Sequence, residues 1–506
     1  MMLEAVEKRS TSGAGFRRSS SLVFLFFFMM IIVDAQSACG ASSAEGKARP
    51  NILMLFADDL TFRAIGATGA KTPNLDRLAA RGVTFTRASI QGGLGGAVCV
   101  SSRATLMTGR YLWQCGKNGD CTRDGKTLYP LWGQTLGEAG YRTYAVGKWH
   151  NGKKTLEAGF QTTHPVILGG MLESTPTTGA AYHRPSPGNP WAPDDPKWKG
   201  HWRAKDGAIA HSSELWADAA IRDMADTSKG DRPFFVYVAF HAPHDPRQAP
   251  RSYLDMYPPD SLPLPPNLLP RHPFDLGEFQ TRDEILAPYP RAEAIVRTHL
   301  QEYYAIIGHL DSQIGRVLDA LDRSGQAGNT IVVFSADNGL AVGQHGLFGK
   351  QSLYDHSIRV PLIVAGPGAP KGEKRDAFVY LPSLFATTCE LAGVTVPTTV
   401  QFPSLVSLLT DSKKSPHDDL YAAYIDRQRM ARTDRWKLTI TPAAGVVQLF
   451  DVLADPWEIH NVADDPKHNA VIEDLYTRLK RWMKVTGDPF PVARLDATLD
   501  ARRQRR

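Results

Sequence analysis

Short, continuous apolar runs alternate with longer amphipathic stretches along most of this chain. Ile52–Phe56, Tyr144–Val146, Phe234–Phe240, Ile331–Phe334 and Pro361–Val364 are apolar on consecutive positions, the pattern of strands buried on both faces. Asn74–Arg81, opened by Thr72-Pro73, and Leu300–Leu321, with apolar residues three and four apart, read as helices. Phe385–Ala392 follows the same period and carries Cys389 inward. Strands interleaved with helices predict an α/β fold: a large, mostly parallel central sheet flanked by helices. His241–His272 is rich in proline and poor in period, and predicts long loops over one face. Beyond a polar break at Asp411–Asp419, strand-like Trp436–Thr441 and Val446–Phe450 and a helix around Val471–Met483 predict a smaller C-terminal α+β subdomain. The expected division is a leader over 1–35, a main domain over 36–415, the subdomain over 416–490 and a basic tail over 491–506.

Composition changes this picture little. The chain has 506 residues, 42% hydrophobic and 22% charged, which excludes a disordered, collagenous or coiled-coil protein. Its formal charge of +6 sits largely at the ends, where Arg502, Arg503, Arg505 and Arg506 crowd the last five residues. The body is nearly neutral, so nucleic acid is not an expected partner.

The N-terminal region matters more. Residues 22–33 are wholly apolar and follow Arg17 and Arg18. That run is too short to span a bilayer, and Val33 and Ala35 supply a small-residue cleavage pattern. It predicts a signal peptide cut after Ala35 and an exported protein, periplasmic or secreted. No other stretch is apolar enough for stable membrane insertion, and Gln36 stands where a lipoprotein site at Cys39 would need an aliphatic residue. Export would permit a disulfide between Cys115 and Cys121 across the intervening turn. Cys99 has no such structural task.

Candidate chemistry gathers where the apolar runs end. Asp58 and Asp59 follow the first, Lys148 and His150 the second, His241 and His244 the third, and Asp337 and Asn338 the fourth. Asp and Asn end many strands, so one such pair would mean little. Four pairs at the carboxyl edge of one parallel sheet converge where open α/β sheets bind ligands. Oxygen-rich pairs suit a hard cation, Ca²⁺ or Mg²⁺, and Lys and His suit an anion and proton transfer. The segment Cys99–Arg110, after Gly92, Gly93, Gly95 and Gly96, reads as a glycine-rich loop entering a helix, with Arg103 one turn beyond Cys99. His241, His345 and His356 are expected to pack loops or touch substrate.

These motifs, in this order, resemble the formylglycine-dependent (type I) sulfatases of the alkaline phosphatase superfamily. The resemblance continues through Gly147-Lys148-Trp149-His150, Ala242-Pro243-His244-Asp245-Pro246, Gly343–Lys350, Arg359-Val-Pro-Leu-Ile and Asp455-Pro456-Trp457-Glu458, and covers about residues 50–485. It implies a hydrolase of sulfate esters whose Cys99 is oxidised by a formylglycine-generating maturation enzyme, the hydrated aldehyde being the nucleophile. It further implies that Asp58, Asp59, Asp337 and Asn338, with the modified Cys99, hold Ca²⁺ (Mg²⁺ in its place is allowed). Arg103 and Lys148 would steady the hydrate and sulfate, His150 would bond its second hydroxyl, and His244 and Lys350 would meet the sulfate and the leaving oxygen. One departure stands out. Ser101 occupies a position usually held by Pro or Ala, and Val100 is also outside the common choices, which predicts incomplete conversion of Cys99 in a foreign host.

Two other functions fit the same residues: a phosphodiester or phosphonate monoester hydrolase of the superfamily, and a sulfated-glycan-binding protein whose Cys99 stays unconverted. Export and a loop region carrying Trp191, Trp198, Trp202, Tyr253 and Tyr257 would suit a sulfated carbohydrate, because sugar faces stack on aromatic rings. Packing of the loops by these rings accounts for them equally well.

Overall fold

The computed structural model describes residues 48–505 except 67–68, 116–120, 124–125, 173–191, 197–199, 228–229, 278, 280 and 411–414. The expected signal peptide, Cys39, Trp191 and Trp198 lie outside the described residues. Eight strands make the main sheet: β1 (Asn51–Ala57), β2 (Gly82–Ser89), β3 (Arg142–Lys148), β4 (Thr162–Ile167), β5 (Phe234–Ala239), β6 (Thr330–Ala336), β7 (Leu362–Ala365) and β8 (Glu373–Tyr380). Their order is β8-β2-β7-β6-β1-β5-β3-β4. Only β7 runs antiparallel to its neighbours. The α/β expectation, with its mostly parallel sheet, holds.

The apolar runs are strands because both of their faces are covered. Every residue of β1, β5 and β6 is buried. Phe235 and Tyr237 of β5 meet Trp132 and Phe160, with ring centroids 4.8 and 5.9 Å apart. The helix Glu293–Arg323 buries Val296, Leu300, Tyr303, Ile307, Leu310, Ile314 and Leu321 along one stripe. It also caps a neighbour. Asp311 accepts hydrogen bonds from the backbone N–H groups of Asn74 and Leu75 at 3.1 and 2.8 Å, at the start of the helix Pro73–Ala80. Thr72, the sequence's own start signal, makes no side-chain cap there.

A second sheet of five strands joins Val446–Asp451, Trp436–Thr441, Gln428–Arg432, Leu420–Tyr424 and the two residues Gly92–Gly93. The helix Asn469–Thr486 packs Ile472, Leu475 and Leu479 against Leu438, Ile440 and Leu449. The expected basic tail differs. Val492–Gln504 is a helix that buries Leu495 and Leu499, and Arg502 is itself buried, donating to the carbonyl of Ala463 at 2.8 Å. The spacing of Leu495, Leu499 and Arg502 puts them on one helix face, which outweighs the basic composition. Cys115 and Cys121 are thiols and form no disulfide; they pack with Ala104, and Cys121 Sγ lies 3.5 Å from the Cys115 carbonyl oxygen. Among the described residues no helix is long and apolar enough to cross a membrane.

Candidate active site

Register alone brings four strand ends together. Ala57 of β1 pairs with Ala336 of β6, Phe56 with Ala239 of β5, and Ala239 with Gly147 of β3. The next residues along β1, β6 and β3, Asp58, Asp337 and Lys148, therefore emerge side by side at the carboxyl edge. Gly147 is required at its place. Its φ is +90°, and a Cβ there would stand 2.0 Å from the Ala239 carbonyl oxygen. Asp59 and His150 also adopt left-handed backbone, with φ 62° and 68°, a conformation that costs free energy in side-chain-bearing residues and concentrates at functional positions.

Cys99 enters from another direction, as the second residue of the helix Val98–Thr108. Three contacts fix the loop before it. Gly92–Gly93 pairs with Ala423 and Tyr424 of the smaller sheet. Leu94 donates its N–H to Ser101 Oγ at 3.0 Å. Gln351 Nε2 donates to the Gly96 carbonyl at 3.0 Å. Gly92, with φ +95°, approaches Ala423 so closely that a Cβ would sit 2.0 Å from its carbonyl oxygen.

The fully buried centre interleaves positive and negative groups. Lys148 Nζ lies on Asp58 Oδ2 and 3.8 Å from Cys99 Sγ. Lys350 Nζ donates to both oxygens of Asp59, at 2.6 and 2.8 Å. Arg103 Nε donates to Asp337 Oδ2 at 2.8 Å, and its Nη1 to the Lys148 carbonyl at 2.9 Å. Asn338 Nδ2 donates to Asp59 Oδ1 at 2.7 Å. His150 Nδ1 is 3.2 Å from Cys99 Sγ. His244 Nδ1 donates to the Asp245 carbonyl at 2.8 Å, leaving Nε2 toward Asp59 Oδ2 at 3.6 Å. All ten candidate residues thus meet at one place.

Protonation follows from this crowding. Burial raises the Asp58 carboxyl well above the usual range, and the charges of Asp337 and Asp59 add to it. Burial pushes the Cys99 thiol up despite Lys148 and Lys350, so the unmodified side chain is not a thiolate. Burial, then Lys148 and Arg103, lowers His150 to about 2, and burial and Lys350 hold His244 well below its ordinary value. Burial opposes the charge of Lys350, but Asp59 more than restores it and keeps the ammonium protonated.

The centre fits a hard divalent cation. Asp58 Oδ1 and Asn338 Oδ1 are buried acceptor oxygens with no hydrogen-bond partner, a condition that a bound cation relieves. The ligand atoms of Asp58, Asp59 and His244, and those of Asp58, Cys99 and Asp337, form two groups each within 4.8 Å. The oxygens of Asp58, Asp59, Asp337 and Asn338 form a donor set suited to Ca²⁺ or Mg²⁺.

A cavity of about 450 Å³ adjoins this centre, lined by Cys99, His150, His244 and Lys350 together with Gly96, Ala97, Gly170, Met171, Thr281, Arg282, Asp283 and Gln351. Arg282 and Asp283 were invisible to sequence patterning because they lie in an aperiodic loop, whereas Gln351 directly follows Lys350. The other histidines lie outside the lining. His241 packs on Trp216 and His345 stacks on Tyr354 at 3.9 Å. His356 bonds Ser352. Nor do the described aromatics make a sugar platform: Trp202 bonds the Pro193 carbonyl, Tyr253 packs on His309, and Tyr257 packs on Tyr304. The closing motif is structural, since Glu458 accepts from the Asp355 N–H at 2.8 Å and pairs with Lys437 at 2.6 Å.

Comparison with known proteins agrees with this geometry. The sulfatase family profile matches residues 50–394, and that of the N-sulphoglucosamine sulphohydrolase C-terminal region matches 343–485. Mouse (Mus musculus) iduronate 2-sulfatase is 31% identical over 432 residues, covering 72% of this chain and 73% of its own. An ulvan-active sulfatase of Formosa agariphila is 28% identical over 471 residues, 87% and 82% of the two chains. A structure solved with its substrate D-glucosamine-2-N,6-O-disulfate superposes with a TM-score of 0.67 at 23% identity, covering 88% of this chain and 99% of that one. The family profile spans more than half of the chain, on the fold that gathers these strand-end residues: this chain belongs to the type I sulfatases of the alkaline phosphatase superfamily and is a sulfuric ester hydrolase.

Proposed function

We propose that this is an exported sulfatase that removes sulfate from a sulfated carbohydrate, using formylglycine made from Cys99 and a bound Ca²⁺ (or Mg²⁺). The observation that carries the reading is the pair of orphaned buried oxygens, Asp58 Oδ1 and Asn338 Oδ1, with a carboxylate oxygen of Asp58 within 4.8 Å of Cys99 Sγ. Relatives named for iduronate and ulvan support a carbohydrate substrate, and the apolar run at 22–33 behind Arg17 and Arg18 supports export.

Asp58, Asp59, Asp337 and Asn338 would hold the cation, which supplies electrostatic stabilisation for charge developing on sulfate oxygens. Arg103 and Lys148 add fixed positive charge around the modified Cys99, and Lys350 holds the sulfate. His150 Nδ1, neutral beside Cys99, takes the proton from the modified side chain as sulfate is released. His244 is oriented by the bond from Nδ1–H to the Asp245 carbonyl, which leaves Nε2 without a proton at rest; a proton taken up there from solvent would be handed to the leaving oxygen. The same groups would serve a phosphorus ester, so turnover is compared on matched aryl sulfate and aryl phosphate or phosphonate esters. Sulfate release from a panel of sulfated saccharides, with the mass of the Cys99 peptide measured on the same sample, tests the reading. Full activity with an unmodified Cys99 thiol, or phosphorus esters turned over faster than sulfates, would overturn it.

A further inference from the structure

The backbone of Gly170 approaches the His150 ring so closely that no side chain fits between them. Strands β3 and β4 end with Lys148 paired to Ile167. Two bonds carry the pairing beyond the strands: the Trp149 N–H donates to the Ile167 carbonyl at 2.9 Å, and the His150 N–H to the Leu168 carbonyl at 3.1 Å. The His150 backbone is thereby held, and its ring can move only about the side-chain bonds. Gly169 and Gly170 follow, and Gly170 lines the cavity together with Cys99 and His150. A Cβ on Gly170 would lie 2.6 Å from His150 Nε2, 3.2 Å from Nδ1 and closer still to Cε1, the atom between them. Neither glycine has left-handed backbone. Space, not conformation, therefore demands glycine at 170. A Cβ on Gly169, by contrast, would have the Met171 carbonyl oxygen, 3.9 Å away, as its nearest described neighbour.

Non-bonded heavy atoms sit about 3.5 Å or more apart, so a methyl group at 170 would push this edge of the ring by roughly 1 Å. Cε1 is bonded to Nδ1 in a rigid ring, so the push moves Nδ1, which now lies 3.2 Å from Cys99 Sγ. We propose that Gly170 is a positioning residue: by bringing bare backbone to the ring edge it sets where the His150 imidazole stands and keeps Nδ1 on the modified Cys99. The inference rests on the reading above in which His150 takes the proton, and it adds the residue that aims the ring. Misplacing a reacting group by about 1 Å can cost on the order of a hundredfold in rate.

The test is a double-mutant cycle on the full chain, converted at Cys99, with sulfate release from an aryl sulfate as the readout. Each kcat is divided by the formylglycine fraction found in the Cys99 peptide by mass spectrometry. Gly170→Ala is expected to lower kcat by roughly tenfold to a hundredfold with KM little changed. It should melt at or above the wild-type temperature, because only the ring has to give way and alanine restricts the unfolded chain. Gly169→Ala should keep the wild-type kcat. In a His150→Ala background, where the ring is gone, adding Gly170→Ala should cost less than about twofold. A merely structural loss would appear in both backgrounds and lower the melting temperature. A crystal structure of Gly170→Ala should show His150 Nδ1 withdrawn from Cys99. Wild-type kcat for Gly170→Ala, equal losses in the two backgrounds, or an unmoved ring in that crystal structure overturns the inference. A wild-type kcat for His150→Ala removes the proton-acceptor reading and the positioning role with it, whereas a low kcat for His150→Ala beside an unimpaired Gly170→Ala strikes the inference alone.

Discussion

His150 Nδ1 lies 3.2 Å from Cys99 Sγ, in the cavity lining and on a left-handed backbone turn that immediately follows Trp149. Holding an imidazole there costs backbone strain as well as burial, and burial with Lys148 and Arg103 keeps it neutral. A neutral ring beside Cys99 would accept a proton from the hydrate proposed there. His150→Ala is expected to lower kcat by roughly a hundredfold, the low end of general-base contributions, with KM little changed. The Cys99 peptide should keep its formylglycine content by mass spectrometry. A fall in that content matching the fall in kcat would move His150 from catalysis to maturation.

The cation prediction has an internal control. Asp337 both offers an oxygen and neutralises Arg103, which is fully buried, whereas Asn338 makes no ion pair. Asp337→Ala should therefore abolish activity and also lose about 3–5 kcal/mol of stability, the cost of an uncompensated buried charge. Asn338→Ala should lose cation affinity and activity with a smaller fall in melting temperature. Calorimetric Ca²⁺ titration beside thermal melts decides this, and equal melting temperatures for the two variants would contradict it.

Leaving-group dependence separates His244 from Lys350. An activated aryl sulfate needs little protonation of its leaving oxygen, so His244→Ala should hurt sugar or alkyl sulfates more, by about tenfold or greater. Lys350→Ala should damage both, because its ammonium is proposed to hold the sulfate and also neutralises Asp59. A plot of log kcat/KM against leaving-group pKa should steepen for the first variant and shift in parallel for the second.

Acid stability follows from buried histidines away from the centre. His272, bonded through Nε2 to the Tyr354 hydroxyl, is lowered to about 4 chiefly by burial, and His345, stacked on Tyr354, to about 3 by burial and then His272. Unfolded histidine titrates near 6.5. Below that pH the unfolded chain binds protons that the folded one refuses, so stability is full above about 6.5 and falls as pH drops toward 4. Each histidine contributes roughly 1.4 kcal/mol per pH unit over that window. Urea midpoints from pH 7 to 4 should fall accordingly, with a shallower slope for His272→Gln.

Ser101 acts at two stages. In the folded protein its Oγ accepts from the Leu94 N–H, so Ser101→Ala should cost about 1 kcal/mol. Before folding, proline at this position would narrow the chain ensemble that maturation must recognise. Ser101→Pro is expected to raise the formylglycine fraction in a foreign host, with kcat rising in proportion and KM unchanged. Peptide mass spectrometry beside kinetics checks both.

The strands and the meeting of the central residues were legible in the sequence because local rules produce them. Ile52–Phe56 and Ile331–Phe334 are apolar without alternation since both sheet faces are covered, and a polar pair directly after such a run must emerge at the sheet's carboxyl edge. Asp58, Asp59, Lys148, His150, Asp337 and Asn338 needed only parallel register to meet. What depends on contacts between distant segments was not legible. Asp311 caps the helix Pro73–Ala80 from 236 and 237 positions away, and the pairing of Ala423 and Tyr424 with Gly92–Gly93 props up the loop before Cys99. The cavity wall belongs to the same class. Arg282 and Asp283 sit in an aperiodic loop, and their pairing with Asp245 and Gln351 is a product of tertiary packing, because no period or motif links charges whose sequence separations are set only by how the loops fold back over the sheet.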